Sequence, residues 1–130
     1  MDAFARVRRL GLALPGIEAA TRYDGSPRLL LGGCFVAGMA THESAEPGTL
    51  VVRADPAERG LLLADAPETY YLTDYYRKYP LVLVRLATID NTALREVLAI
   101  SRRLTLPKIR VARGLSASRG GPDKARPTSR

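Results

Sequence analysis

The sequence predicts an α+β domain in which helices cover one side of a mostly antiparallel sheet. Three observations carry this expectation. Short apolar runs broken by turn residues fill Ile17 to Ala54. Stretches with helical periodicity stand near both ends, and a helix-start signature at Asp55-Pro56-Ala57-Glu58 separates the first strands from a second pair.

In chain order, Asp2 to Leu14 sets Phe4, Val7, Gly11 and Leu14 on one helical stripe flanked by Leu10, with Arg6 and Arg9 turned away. Leu14-Pro15-Gly16 ends this helix. The runs IEAATRY, RLLL, CFVAGMA and TLVVRA then read as three or four antiparallel strands. DGSP makes a reverse turn, Gly32-Gly33 a tight one, and THESAEPG a polar loop. Asp55 is suited to cap the next helix, with Pro56 at its first position and Glu58 placed to reach back. That helix ends near Asp65-Ala66-Pro67. Strands follow around Thr69–Leu72 and Leu81–Leu86, joined by TDYYRKYP as a loop. Asp90-Asn91-Thr92 starts the last helix, whose inner face is Leu94, Val97, Leu98, Ser101, Leu104 and Thr105, with Arg95, Arg102 and Arg103 off it. Pro107 is expected to close it. The predicted order is α-β-β-β-β-α-β-β-α.

At 130 residues the chain is sized for one domain, which buries about two-thirds of its unfolded surface without metal or disulfide. Cys34 is the one cysteine and sits in an apolar run, as a buried strand thiol does. A single thiol fits a reducing compartment. The N-terminal MDAFARVRRLGLALPG lacks the basic head and long apolar body of a signal peptide. No apolar run approaches the roughly 18 residues of a membrane span. A cytoplasmic protein with no membrane association is expected.

The net charge of +7 is unevenly distributed. Residues 1–106 hold 13 basic and 12 acidic side chains, a net of +1, whereas residues 107–130 hold 7 basic and 1 acidic, a net of +6. The division is therefore a domain over residues 1–108 and a basic Gly/Pro/Ser/Arg-rich tail over 109–130, expected to be disordered.

Enzymatic chemistry has little to draw on. His42 is the only histidine, and its neighbours Thr41, Glu43 and Ser44 lack a nucleophile-elbow motif. One Cys and one His cannot fill a four-ligand zinc site, and no phosphate-binding glycine fingerprint occurs. The expectation is a non-enzyme with no cofactor and no metal.

Five of the six tyrosines, Tyr70, Tyr71, Tyr75, Tyr76 and Tyr79, fall within ten residues, with Arg77 and Lys78 between them. A tyrosine offers an apolar ring for stacking and a hydroxyl that wants a polar partner. Interleaved with cations, such rings suit a nucleic-acid backbone and its bases. Tyr70 and Tyr71 fit simple sheet packing. The candidate DNA contacts are Tyr75, Tyr76, Arg77, Lys78, Tyr79 and Arg85, joined by Lys108, Arg110 and Arg113 at the start of the tail. For Arg85 the competing role is that of a paired or snorkelling strand residue. The same cluster would also serve a protein-interaction or small-ligand-binding module, because tyrosine and arginine are favoured anchors.

Three motifs carry a resemblance: LPG after the first helix, R-x-D-P-x-E-R across Arg53–Arg59, and YYLTDYYRKYP-x-VLVRL over Tyr70–Leu86. Together they resemble the MmcQ/YjbR family of small bacterial proteins over about residues 4–108. The resemblance implies a compact α+β fold related to the CyaY-like architecture and weak, largely sequence-nonspecific DNA binding by a double-wing arrangement. The chain departs from the family pattern where Tyr75 stands for a common His, Lys78 for Gly and Leu81 for Trp. The CyaY kinship also raises iron binding through an acidic first helix, but here that helix carries Arg6, Arg8 and Arg9 against Asp2 alone.

Overall fold

The computed structural model of the chain describes residues 3–118, with side chains described through Ile109. It is an α+β fold built on a six-stranded, wholly antiparallel sheet. The elements in order are α1 (Ala3–Leu12), β1 (Ile17–Thr21), β2 (Pro27–Leu31), β3 (Cys34–Met39), β4 (Thr49–Arg53), α2 (Pro56–Asp65), β5 (Tyr70–Tyr71), α3 (Asp74–Arg77), β6 (Leu81–Arg85) and α4 (Asn91–Ser118). Their order across the sheet is β1-β2-β3-β4-β6-β5, so short β5 takes the edge.

Strand alternation divides the apolar residues between two faces. Leu29, Leu31, Leu50, Val52, Val82 and Val84 face α1 and α4 and join Phe4, Val7, Leu94, Val97 and Leu98 in the main core. The opposite face carries Val51 and Leu83, with Phe35 and Leu81 packed beside them. Between β2 and β3 the register shifts at Leu29/Leu30, and Val36 and the neighbouring Ala37 both turn into the main core.

Several expected features hold. Asp55 caps α2 by accepting the Glu58 N–H at 2.8 Å, with Pro56 in the first turn. Gly25, Gly32 and Gly33 take the positive φ that their turns require. On α4, Leu94, Val97, Leu98, Ser101 and Thr105 are buried, and Leu104 is partly so.

Others are corrected. Arg6 is not turned away: its guanidinium donates to the Leu86 carbonyl at 2.6 Å and the Ile89 carbonyl at 2.9 Å. Those carbonyls end β6 and its loop, so the arginine saturates backbone that no strand reaches. Glu58 does not complete a capping box but pairs with Arg103 of α4. The expected loop TDYYRKYP contains the short helix α3, capped by Thr73, which receives the Tyr76 N–H. The order is thus α-β-β-β-β-α-β-α-β-α, and α3 lies on the face opposite α1 and α4, so helices do not keep to one side.

Pro107 does not close α4, which runs on to Ser118. Proline deletes one backbone donor, but Leu106 and Ile109 pack on the main core on either side of it, and Ile109 also sits against Gly32. Tertiary contact holds the helix together across the lost bond. The helix therefore enters the segment assigned to the tail, and the remainder of that segment, 119–130, lies outside the described residues. Among the described residues no helix is long and apolar enough to cross a membrane.

Candidate functional site

The tyrosine cluster is divided between the fold and the surface. Tyr70 is buried in the main core, and Tyr71 anchors the loop before β4. The Tyr71 hydroxyl lies 2.6 Å from Thr49 Oγ1 and accepts the Glu46 N–H at 2.8 Å. Tyr76 is 6 % exposed, packs on Val51 and Leu83, and accepts the His42 N–H at 3.1 Å through its hydroxyl. Its ring is structural and unavailable for stacking on a base. Tyr75 and Tyr79 are 39 % and 40 % exposed.

These two rings form a ridge with the cations beside them. Lys78 Nζ stands 5.2 Å from the Tyr75 ring centre and 5.5 Å from that of Tyr79, within cation–π range. Arg77 is exposed and pairs at 3.6 Å with Asp74 one turn earlier. The ridge is braced from below. Arg59 of α2 donates to the Tyr79 carbonyl at 2.9 Å and the Arg77 carbonyl at 3.2 Å, groups that end a four-residue helix. His42 stacks on Tyr75 at 3.6 Å with the planes 9° apart. Negative charge on a neighbouring ionised Tyr79, and a hydrogen bond with it, raise the Tyr75 pKa.

His42 is half-buried in this stack. Its Nδ1 accepts the Ser44 N–H at 3.1 Å and lies 2.8 Å from Ser44 Oγ, which is 2.9 Å from Thr73 Oγ1. With Nδ1 accepting, a neutral ring carries its proton on Nε2. The chain of hydroxyls ends on the Thr73 cap of α3, so it orders the loop against the helix.

Arg85 does not join the ridge. It grips Glu46 with two hydrogen bonds of 2.9 Å, donates to the Pro67 and Glu68 carbonyls, and lies 4.2 Å over the Tyr71 ring. Four of its five N–H donors are engaged within the fold, which is the paired-strand role and leaves little for a phosphate. Lys108 is exposed and lines a small cleft of about 150 Å³ with Arg53 and Pro80, the residue after Tyr79. Arg110 and Arg113 belong to α4, with side chains outside the described residues.

Sequence reasoning missed the uncovered half of the sheet. Beyond α3, the face over β2 and β3 is an open cleft of about 340 Å³, bordered by Arg22, Arg28, Phe35, Gly38, Val51 and Tyr76 among others. These residues come from the β1–β2 hairpin, three strands and α3. Only strand pairing assembles them, although the alternation of Arg28 with Leu29 and of Val51 with Leu50 and Val52 could have assigned each to its face. Among the described residues no group of three His, Cys, Asp or Glu side chains is placed to hold a metal ion.

No protein-family model, curated protein or solved structure matches the chain.

Proposed function

We propose that this is a non-enzymatic DNA-binding domain of the MmcQ/YjbR type, cytoplasmic and with a CyaY-like arrangement, which holds DNA weakly and with little sequence preference. The observation that carries the reading is the ridge of Tyr75, Lys78 and Tyr79, with two rings about two-fifths exposed and a cation over both. Exposed rings give every base the same stacking surface, and Lys78 and Arg77 supply sequence-independent phosphate contacts. The near-neutral body accounts for weak binding, and Lys108, Arg110 and Arg113 extend the positive charge along the chain. The motif resemblance over Tyr70–Leu86 supports the same segment. Arg85 and Tyr76 are left out of this reading because both are engaged within the fold.

The test is a titration of the full chain with single-stranded and duplex DNA at several salt concentrations. Replacing Arg77 and Lys78 together by alanine should weaken binding and lower the salt slope by about two. Tyr75→Ala and Tyr79→Ala should each cost roughly 1–3 kcal/mol on single strands. Unchanged affinity in all three variants would sink the DNA reading. The ridge would then be the anchor of a protein contact, the second reading that its tyrosines support.

A further inference from the structure

We propose that the open cleft on the sheet is a binding site for a phosphate monoester carrying a planar ring, the chemistry of a mononucleotide. The site borders the Tyr75–Tyr79 ridge through Tyr76 but does not depend on DNA binding there.

The argument begins with Arg28. Its Nε is shut off from water yet has no hydrogen-bond partner, and among the described residues no carboxylate pairs with its guanidinium. Buried donors are almost always satisfied; Nε itself is closed to a ligand, so an acceptor in the cleft would meet the terminal nitrogens of the same guanidinium, which lines the cleft wall. Arg22 provides a second cation on the same wall. Its side chain is steadied by donation to Thr41 Oγ1 at 3.0 Å and by Asp24 at 4.0 Å. Among the described residues none that lines the cleft is acidic. Two guanidinium groups, of which only Arg22 has a carboxylate beside it, give a positive wall that suits a phosphate monoester, for which the arginine fork is adapted.

The floor is largely apolar. Arg28 pairs across the sheet with Gly38, Gly38 with Val51, and Val51 with Leu83. In this row Gly38 is the position without a side chain. A Cβ there would come within 3.0 Å of the Phe35 ring and 3.2 Å of Arg28 Cβ. The backbone of Gly38 is ordinary, without the positive φ that would by itself require glycine. Glycine at this position lets the Phe35 ring and the Arg28 stem pack close over the strand, and Phe35, Val51 and Tyr76 give the cleft its apolar side. At about 340 Å³ the space lies at the lower end of the range of small-molecule sites, which combine an apolar floor with a few placed polar groups.

Such a ligand could be a free mononucleotide or the phosphorylated end of a strand. The experiment uses the full chain, calorimetric titration with adenosine 5′-monophosphate, and amide NMR shifts to locate binding. Adenosine and inorganic phosphate should each bind at least about tenfold more weakly than the nucleotide, since each offers only half of the contacts. Gly38 and Val51 amides should shift on binding. Arg28→Gln should weaken binding about tenfold or more. Arg22→Gln provides the readout if that variant fails to melt like the parent. Replacing Arg77 and Lys78 by alanine should leave nucleotide binding unchanged. A 5′-phosphorylated strand that outbinds its unphosphorylated twin only while Arg28 is present identifies the strand end as the source; equal binding of the two strands, with Arg28-dependent nucleotide binding intact, identifies the free nucleotide. The proposal is overturned if the nucleotide binds no tighter than inorganic phosphate, or if the folded variants bind it as the parent does.

Discussion

Arg6 in the first helix donates to the carbonyl of Leu86, 80 positions along the chain, at 2.6 Å. The same guanidinium reaches the Ile89 carbonyl and Asn91 Oδ1, so one side chain ties α1 to the connection between β6 and α4. Arg6→Ala should lower stability by about 1–3 kcal/mol by stranding those acceptors. Arg6→Lys should recover little, because an ammonium lacks the fork that serves several acceptors at once. Denaturant unfolding of both variants beside Arg9→Ala checks this. Arg9 is exposed, and its loss should fall within about half a kcal/mol.

Leu98 is fully buried on the inner face of α4, whereas Arg95, three residues earlier, is exposed. Leu98→Ala should cost about 2–5 kcal/mol and Arg95→Ala less than about half a kcal/mol. Thermal melts that gave equal shifts would contradict the packing of this helix.

Tyr76 and Tyr79 separate the fold from the ridge. Tyr76→Ala should destabilise by about 3–5 kcal/mol through the cavity beneath α3. Tyr76→Phe should cost about 1 kcal/mol for the lost acceptor of the His42 N–H. Tyr79→Ala should alter stability by less than about 1 kcal/mol, given its exposure. Chemical denaturation of the three variants gives the ranking.

The hydrogen bonds from Arg85 hold the Glu46 carboxyl below its ordinary value of 4.5, with the charge of Arg85 adding to the effect. A carboxyl with a lowered folded pKa contributes stability above its unfolded pKa and loses it as pH falls through the folded one. Glu46→Gln should therefore melt below the parent near neutral pH, and the gap should narrow steadily as pH falls below 4.5. A gap that stays constant into acid would mean that the pair contributes through shape and not charge. Exposure of Glu46 keeps the effect small, and added salt should shrink it further.

Gly32 and Ile109 test the passage of α4 beyond Pro107. Gly32 has φ +57°, and an added Cβ would lie 2.9 Å from Ile109 Cδ1. Gly32→Ala should cost about 1–2 kcal/mol from backbone strain, with a steric part on top. In a double-mutant cycle, Ile109→Ala should relieve that steric part and give a coupling of about half a kcal/mol or more. Strict additivity would show that the two residues do not meet.

Sequence alone determined the α+β class, the residue spans of most strands, the Asp55 cap and the inner face of α4. Each is set by local chemistry: alternation for strands, a carboxylate before Pro56 for the cap, and a 3.6-residue period for the face. Tertiary structure decided what those rules do not reach. It drew Arg6 inward to carbonyls far away in sequence, carried α4 past Pro107 on the packing of Leu106 and Ile109, and turned Tyr76 into core while leaving Tyr75 and Tyr79 outside. It also spent Arg85 on Glu46 and left Arg28 unpaired. A side chain's composition gives what it can bond, but its partners across strands and loops decide whether that capacity is already used. The open donors that define a site become visible only after the fold has satisfied the others.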